Sequence, residues 1–280
     1  MKNETVSFSE RYNMSREIFR PNHYFIIFHE DKLILRHDYA VFSGQDDISL
    51  EKSLQRHHLI GEMGGNAVYC AEWINEQLLP SFLTALPIKK ALEHLPPNWY
   101  SMITRAITIL QWDKNHQFCG ACGNRTERVA NLFEKRCPVC QLIFYPRISP
   151  SVIVLIEKGD YILMARGAHF VPGAFGLIAG FVEPGESLEE AVHREVKEEV
   201  GITIKALRYV SSQSWPFPDS LVAGFRAQYD SGELTIDYKE LEVAGWYRYD
   251  ALPGKPSSSI SIASRLIDGF VAEKKCMKGK

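Results

Sequence analysis

Leu188, Val192, Val196 and Val200 recur every fourth residue, the spacing at which side chains of an α-helix share one face. The polar positions around them agree. Ser187 with Glu190 three residues on forms a capping box, in which each side chain satisfies an orphan backbone donor of the other, and Gly201 supplies a left-handed stop. At about 100° per residue, Glu195 and Glu199 fall at the margin of the apolar stripe, while Glu189, His193 and Lys197 face water. Elsewhere the pattern is β-like. Strands are predicted from Ser151 to Glu157 and from Tyr161 to Arg166, about a turn at Lys158-Gly159-Asp160. Tyr24 to Phe28 and Lys32 to Arg36 read as a hairpin around Glu30-Asp31, and further β-like segments follow towards Tyr69. Helical patterns from Leu83 to Leu95 and from Trp99 to Leu110 are broken by Pro96-Pro97. Ala263, Leu266, Ile267, Phe270 and Val271 predict an amphipathic helix closing the second sheet from behind.

Bulk properties change this picture little. With 280 residues, 45% hydrophobic and 24% charged, the chain suits two ordinary domains, and a formal charge of −2 argues against a general nucleic-acid binder. Residues 119 to 147 depart from that average. Arg125, Arg128, Lys135, Arg136 and Arg147 stand against Glu127 and Glu134, an excess of 5 − 2 = 3 positive charges. Such a patch suits an RNA tail, and a solvated surface explains it equally well. Met1-Lys2-Asn3-Glu4 opens into polar sequence with no secretory leader, and no segment is long enough to cross a bilayer, so the expected location is the cytoplasm.

The same stretch carries Cys119-Gly120-Ala121-Cys122 and Cys137-Pro138-Val139-Cys140, with fourteen residues between the pairs. Four thiolates in two knuckles match tetrahedral zinc, and without an open position the site is expected to be structural. His116 reads as an exposed loop residue. Cys70 and Cys276 are isolated and expected to be free thiols, in keeping with a reducing compartment.

The chemistry concentrates in the predicted helix and the loop before it. Seven carboxylates lie between Glu183 and Glu199, bracketed by Gly180, Gly185 and Gly201. Glu195, Glu198 and Glu199 stand at i, i+3 and i+4 and project together, where they repel one another unless a cation sits between them. Clustered hard oxygen ligands suit Mg²⁺ or Mn²⁺. Gly180, five residues, Glu186, seven residues and then Arg194-Glu195-Val196-Lys197-Glu198-Glu199-Val200-Gly201-Ile202 resembles the Nudix box in every defined position. The resemblance implies divalent cations held chiefly by Glu195, Glu198 and Glu199, with Glu186 and Arg194 bracing loop against helix. It also implies hydrolysis of a nucleoside diphosphate linked to a further group. Glu199 or a neighbour then takes the proton of the attacking water.

Ser212-Gln213-Ser214-Trp215-Pro216-Phe217-Pro218-Asp219-Ser220 narrows the substrate. Two prolines stiffen it, aromatics offer stacking surface, and amide or hydroxyl groups at either end offer hydrogen bonds to a base. After a Nudix box it resembles the signature of the NADH pyrophosphatase family, which usually has proline where Ser214 stands. The whole chain is similar in type to these bacterial enzymes, also described as NAD-cap hydrolases acting on RNA. The implied fold is α+β: a Nudix α/β/α sandwich with a mixed sheet (148–280), preceded by a four-cysteine zinc ribbon (113–147) and a β-rich, degenerate Nudix-like domain (1–112). The implied reaction takes NADH (or NAD⁺) and water to reduced (or oxidised) nicotinamide mononucleotide and AMP, and the same diphosphate is exposed at the NAD-capped end of RNA. Glu240 matches a further metal ligand, with Glu242 close enough to be confused with it. Phe181 and Tyr145 match aromatics that sandwich a ring, with Tyr145 contributed across a homodimer, and Gln213, Trp215, Ser220 and Ala263 match other substrate contacts. Two other readings compete: a Nudix hydrolase of another substrate such as ADP-ribose or a diadenosine polyphosphate, and a non-catalytic zinc-ribbon module binding RNA or protein. The intact glutamates argue against the last.

Overall fold

The computed structural model describes residues 6–7, 20–46, 53–74, 78–129, 132–168 and 170–278. Met1 to Glu4 lie outside them. The chain divides into two compact units, Met1–Arg147 and Ile148–Lys280.

The first unit begins with seven strands, β1 (Val6–Ser7), β2 (Tyr24–His29), β3 (Lys32–Arg36), β4 (Phe42–Ser43), β5 (Leu54–Met63), β6 (Asn66–Trp73) and β7 (Leu83–Pro87). Two helices follow, α1 (Ile88–His94) and α2 (Tyr100–Asn115). The predicted hairpin is β2–β3. The predicted helix from Leu83 to Leu95 is shorter: Leu83–Pro87 instead pairs antiparallel with β3, Leu86 opposite Leu33. Pro87 lacks a backbone N–H and takes an extended conformation as the N-cap, so the helix begins only at Ile88. The ribbon after α2 has three short strands, β8 (Glu127–Arg128), β9 (Lys135–Arg136) and β10 (Ile143–Phe144), in the order β10-β9-β8.

The second unit holds β11 (Ser149–Lys158), β12 (Tyr161–Gly167), β13 (Ile178–Phe181), α3 (Leu188–Val200), β14 (Thr203–Trp215), β15 (Ser220–Ser231), β16 (Leu241–Arg248) and α4 (Ile262–Lys278). Its mixed sheet runs β14-β15-β11-β12-β16, with β13 beside β11. β11 is buried on both faces, which its unbroken apolar run from Val152 to Ile156 requires. On one face Val152, Val154 and Ile156 join Val192, Val196 and Val200 of α3, and on the other Ile153 and Leu155 join Leu266, Ile267 and Phe270 of α4. This is the α/β/α sandwich of a Nudix fold.

The first unit repeats that wiring. β2 runs parallel to β6 and antiparallel to β3 and β4, as β11 runs parallel to β15 and antiparallel to β12 and β13. Likewise β5 flanks β6 as β14 flanks β15, and β7 flanks β3 as β16 flanks β12. The difference lies between β4 and β5. The second unit has α3 between β13 and β14; among the described residues of the first, no helix stands between β4 and β5. Among the described residues no helix is long and apolar enough to cross a membrane.

Candidate active site and cysteine cluster

Helix α3 is fixed at both ends by the signals read from its sequence. The Glu190 N–H donates to Ser187 Oγ (3.2 Å) and the Ser187 N–H to Glu190 Oε2 (2.8 Å). At the other end Gly201 takes φ 73°, and the last carbonyls are met by incoming chain: Thr235 N–H donates to Val200 O (3.0 Å) and Asp237 N–H to Glu199 O (2.9 Å). That docking brings the turn from Asp237 to Glu240 beside Glu199.

The helix turns two glutamates inward. Glu195 and Glu199 are buried, at 8% and 5% exposure, rather than marginal to the stripe. Burial raises the proton affinity of Glu199 to about 8, and the charges of Glu195, Glu240, Asp237 and Glu198 push it the same way. Glu195 is raised too, first by burial and then by Glu198 and Glu240, against the pull of Arg194. Glu198 is exposed. Carboxylates gathered at the cost of their own ionisation are the residues that could hold a cation. Part of the charge is met by Arg194, whose Nη1 donates to both Glu195 Oε1 (2.8 Å) and Glu198 Oε2 (3.0 Å). Its other nitrogens reach Glu186 (2.8 and 2.9 Å) and Phe181 O (2.9 Å). Glu186 also accepts from the Glu183 N–H (3.0 Å) and is held below the usual carboxylate range, chiefly by Arg194. One guanidinium thus ties the loop to the acidic face.

Gly180 explains itself by space. A Cβ there would run into the Glu195 carboxylate. Gly180→Ala is therefore expected to push Glu195 out of place and lower kcat by on the order of 100-fold, about 2.7 kcal/mol, while the melting temperature falls only slightly. Steady-state kinetics beside a thermal melt checks this; wild-type turnover in the variant would show that the carboxylate does not need that room.

Beside the acidic face lies a cleft of about 660 Å³. Glu195, Glu198 and Glu240 line it, together with Arg194, Phe181, Gln213, Trp215, Ser220 and Ala263. Glu199 is buried and is not among the lining residues, and Tyr145, an exposed residue after β10, belongs to the first unit. Glu242 pairs instead with Arg166 (3.3 Å), which separates it from Glu240. The aromatic-proline segment differs from the loop expected. Its first half is strand β14, which turns at Pro216 into β15, with Trp215 opposite Ser220 and Gln213 opposite Val222. Strand pairing, not proline alone, aims Gln213 inward, where its Nε2 donates to Ile260 O (3.0 Å). Sequence reasoning missed Phe170, Leu177, Pro256, Ser257, Ser258, Ser261 and Ile262, which add to the walls. No local pattern marks them, because topology alone brings them there.

The four cysteine sulfurs of the ribbon lie within 4.8 Å of one another, with neighbouring pairs 3.4–3.5 Å apart. Zinc–thiolate bonds of about 2.3 Å place tetrahedral sulfurs roughly 3.8 Å apart, so this cluster fits zinc. His116 is half-buried rather than loop-exposed and caps α2, with its Nδ1 against Trp112 O (2.9 Å). The basic patch is weaker than its residue count. Lys135 is buried against Asp113, Arg136 pairs with Glu134 (2.9 Å), and Arg128 reaches His58.

Three family models match the chain: a NUDIX domain over residues 146–266, an NADH pyrophosphatase zinc ribbon domain over 114–145, and an NADH pyrophosphatase-like rudimentary NUDIX domain over 22–112. The NAD-capped RNA hydrolase NudC of Chromobacterium violaceum is 45% identical over 209 residues, 75% of this chain and 73% of that one. The protein of the same name from Pseudomonas aeruginosa (strain LESB58) is 42% identical over 80% of each chain. That from Yersinia pestis (strain Pestoides F) is 40% identical over 89% of this chain and 92% of its own.

Proposed function

The chain belongs to the NudC family of Nudix hydrolases, and from that premise we propose that it hydrolyses the diphosphate of NAD(H), free or as the 5′ cap of RNA, to nicotinamide mononucleotide in its reduced or oxidised form and AMP or 5′-phosphorylated RNA. The observation that carries the reading is the meeting, in one cleft, of an acidic wall and a wall with Trp215, Phe181 and Gln213. A diphosphate needs countercharge and its rings need flat apolar surface, and a cleft of this volume lies within the roughly 300–1,000 Å³ of small-molecule sites.

Glu195, Glu198, Glu199 and Glu240 would hold magnesium or manganese, which when bound neutralises the diphosphate and makes water a better nucleophile. The chain's own residues do the rest. Arg194 and Glu186 fix the angle of loop to helix. Water attacks one phosphorus, the bridging P–O bond breaks towards the other phosphate, and a glutamate of the acidic wall takes the proton. Trp215, Ser220, Gln213, Phe181 and Ala263 orient the dinucleotide. In the homodimer Tyr145 of one protomer completes the other's cleft.

The test is a competition assay in Mg²⁺ or Mn²⁺ with NADH, NAD-capped RNA and ADP-ribose, products separated by chromatography and the enzyme's mass followed by light scattering. Expected are AMP and reduced nicotinamide mononucleotide from NADH, nicotinamide mononucleotide and 5′-phosphorylated RNA from the cap, at least tenfold weaker use of ADP-ribose, and a dimer. Preferential ADP-ribose cleavage overturns the substrate assignment, and a monomer of full activity overturns the role of Tyr145.

A further inference from the structure

The segment that leads into α4 contributes Ser257, Ser258 and Ser261 to the cleft wall. They differ in what is left for a ligand. Ser257 is exposed to water, and the Ser261 hydroxyl is committed, donating to Ser258 O (2.8 Å) and accepting from the Ser264 N–H (3.2 Å). Ser258 is 3% exposed, and among the described residues its buried hydroxyl has no hydrogen-bond partner. Burial without a partner is unfavourable, so a desolvated hydroxyl on a cleft wall is poised for something that enters the cleft.

Ser258 is also held still. Its carbonyl accepts from both Ser261 Oγ and Ser264 Oγ (2.8 Å each). Two residues on, Ile260 O accepts from Gln213 Nε2 (3.0 Å), which ties the segment to β14. Elsewhere the cleft lining at Val222, Ile262, Leu177 and Phe170 is apolar. A fixed polar atom among apolar and aromatic walls matches the edge of a planar ring bearing an amide or amino group. We infer that Ser258 is a specificity-determining residue whose hydroxyl hydrogen-bonds the polar edge of one ring of the dinucleotide. This rests on the cleft being the dinucleotide site. Nicotinamide carries such an edge in its carboxamide and adenine in its amino group, and the two products separate these sources.

The experiment uses the full chain and Ser258→Ala. If wild-type protein does not cleave NADH, the proposed function fails and this inference with it; if it does, the variant tests the inference alone. Expected in the variant are a KM for NADH raised roughly three- to tenfold, a kcat within about twofold of wild type, and a ligand-free melting temperature unchanged or higher, since no bond of the fold is removed. Calorimetry with AMP and with nicotinamide mononucleotide, each in Mg²⁺, should show one of the two binding about three- to tenfold more weakly and the other unchanged. The weakened product identifies the ring. Unchanged KM and product affinities overturn the inference. So does equal weakening of both products, or a lower melting temperature, since each marks a displaced wall and not a lost contact.

Discussion

Replacing Glu199 with glutamine is expected to lower kcat by on the order of 10³-fold, about 4 kcal/mol of transition-state stabilisation, and to make the metal-free protein more stable at pH 8. The two effects have one origin. In the folded protein Glu199 titrates at about 8, against an ordinary 4.5, because burial and the charges of Glu195, Glu240, Asp237 and Glu198 all oppose its ionisation. Between those values the folded state holds a proton that the unfolded state has released, so the contribution of Glu199 to stability is greatest below pH 4.5 and falls as pH rises towards 8. At roughly 1.36 kcal/mol per pH unit the penalty has an upper limit of about 4–5 kcal/mol. Glutamine is neutral throughout and escapes it. A bound divalent cation offsets the same penalty in the wild type, adding about 2.7 kcal/mol at a hundredfold excess over its Kd. The wild type should therefore gain melting temperature on adding Mg²⁺ or Mn²⁺ at pH 8, and Glu199→Gln should gain much less. Thermal melts across pH with and without metal, beside NADH turnover, check both halves. A variant with near-normal kcat, or one stabilised by metal as much as the wild type, would remove Glu199 from the site.

Much of this site was legible in sequence because it is local. Ser187, Glu190 and Gly201 set the ends of α3, and the fourfold spacing of Leu188, Val192, Val196 and Val200 sets its buried side. What the periodicity put at the margin, Glu195 and Glu199, the structure buries, since β13 and the turn from Asp237 to Glu240 cover that edge. Neighbours supplied by topology leave no mark on a helix's own sequence. The same holds for Phe170 and Leu177, from the segment between β12 and β13, and for Ser258, from the segment before α4. Strand β7 was misread because Leu83-Thr84-Ala85-Leu86 fits a helix locally, and pairing with β3 overrides that preference. The shared wiring of the two units was also invisible residue by residue. Their resemblance is a matter of strand order, and among the described residues only the second carries the helix with the recognisable motif.

Loss of zinc should unfold more than the ribbon. Lys135 lies on β9, between the two cysteine pairs, and is 3% exposed with its ammonium on Asp113 of α2. Asp113 is itself buried and also accepts from His58 Nε2 of β5 (3.0 Å). Arg128 donates to the other ring nitrogen of His58, which fixes a neutral imidazole, and burial holds His58 below its usual range in agreement. The countercharge for Asp113 therefore comes from Lys135 and not from His58. Burial alone would push the Asp113 carboxyl up, yet hydrogen bonds from His58 and Lys135 hold it well below the usual carboxylate range. When the cysteines lose their metal, β9 loses its anchor, Lys135 leaves, and a buried carboxylate is left without a cation. Breaking such a pair costs about 3–5 kcal/mol, beyond the folding energy that structural zinc supplies to its own ligands. Cys137→Ser is thus expected to carry less than one zinc per chain and to lose at least about 5 °C of melting temperature. Amide exchange should rise in the ribbon, at the end of α2 and along β5. Lys135→Met should reproduce the faster exchange of α2 and β5 while the chain keeps its zinc. If Cys137→Ser loosened the ribbon alone, with α2 and β5 as protected as in the wild type, Lys135 would be a passenger on the ribbon and not its tie to the sheet.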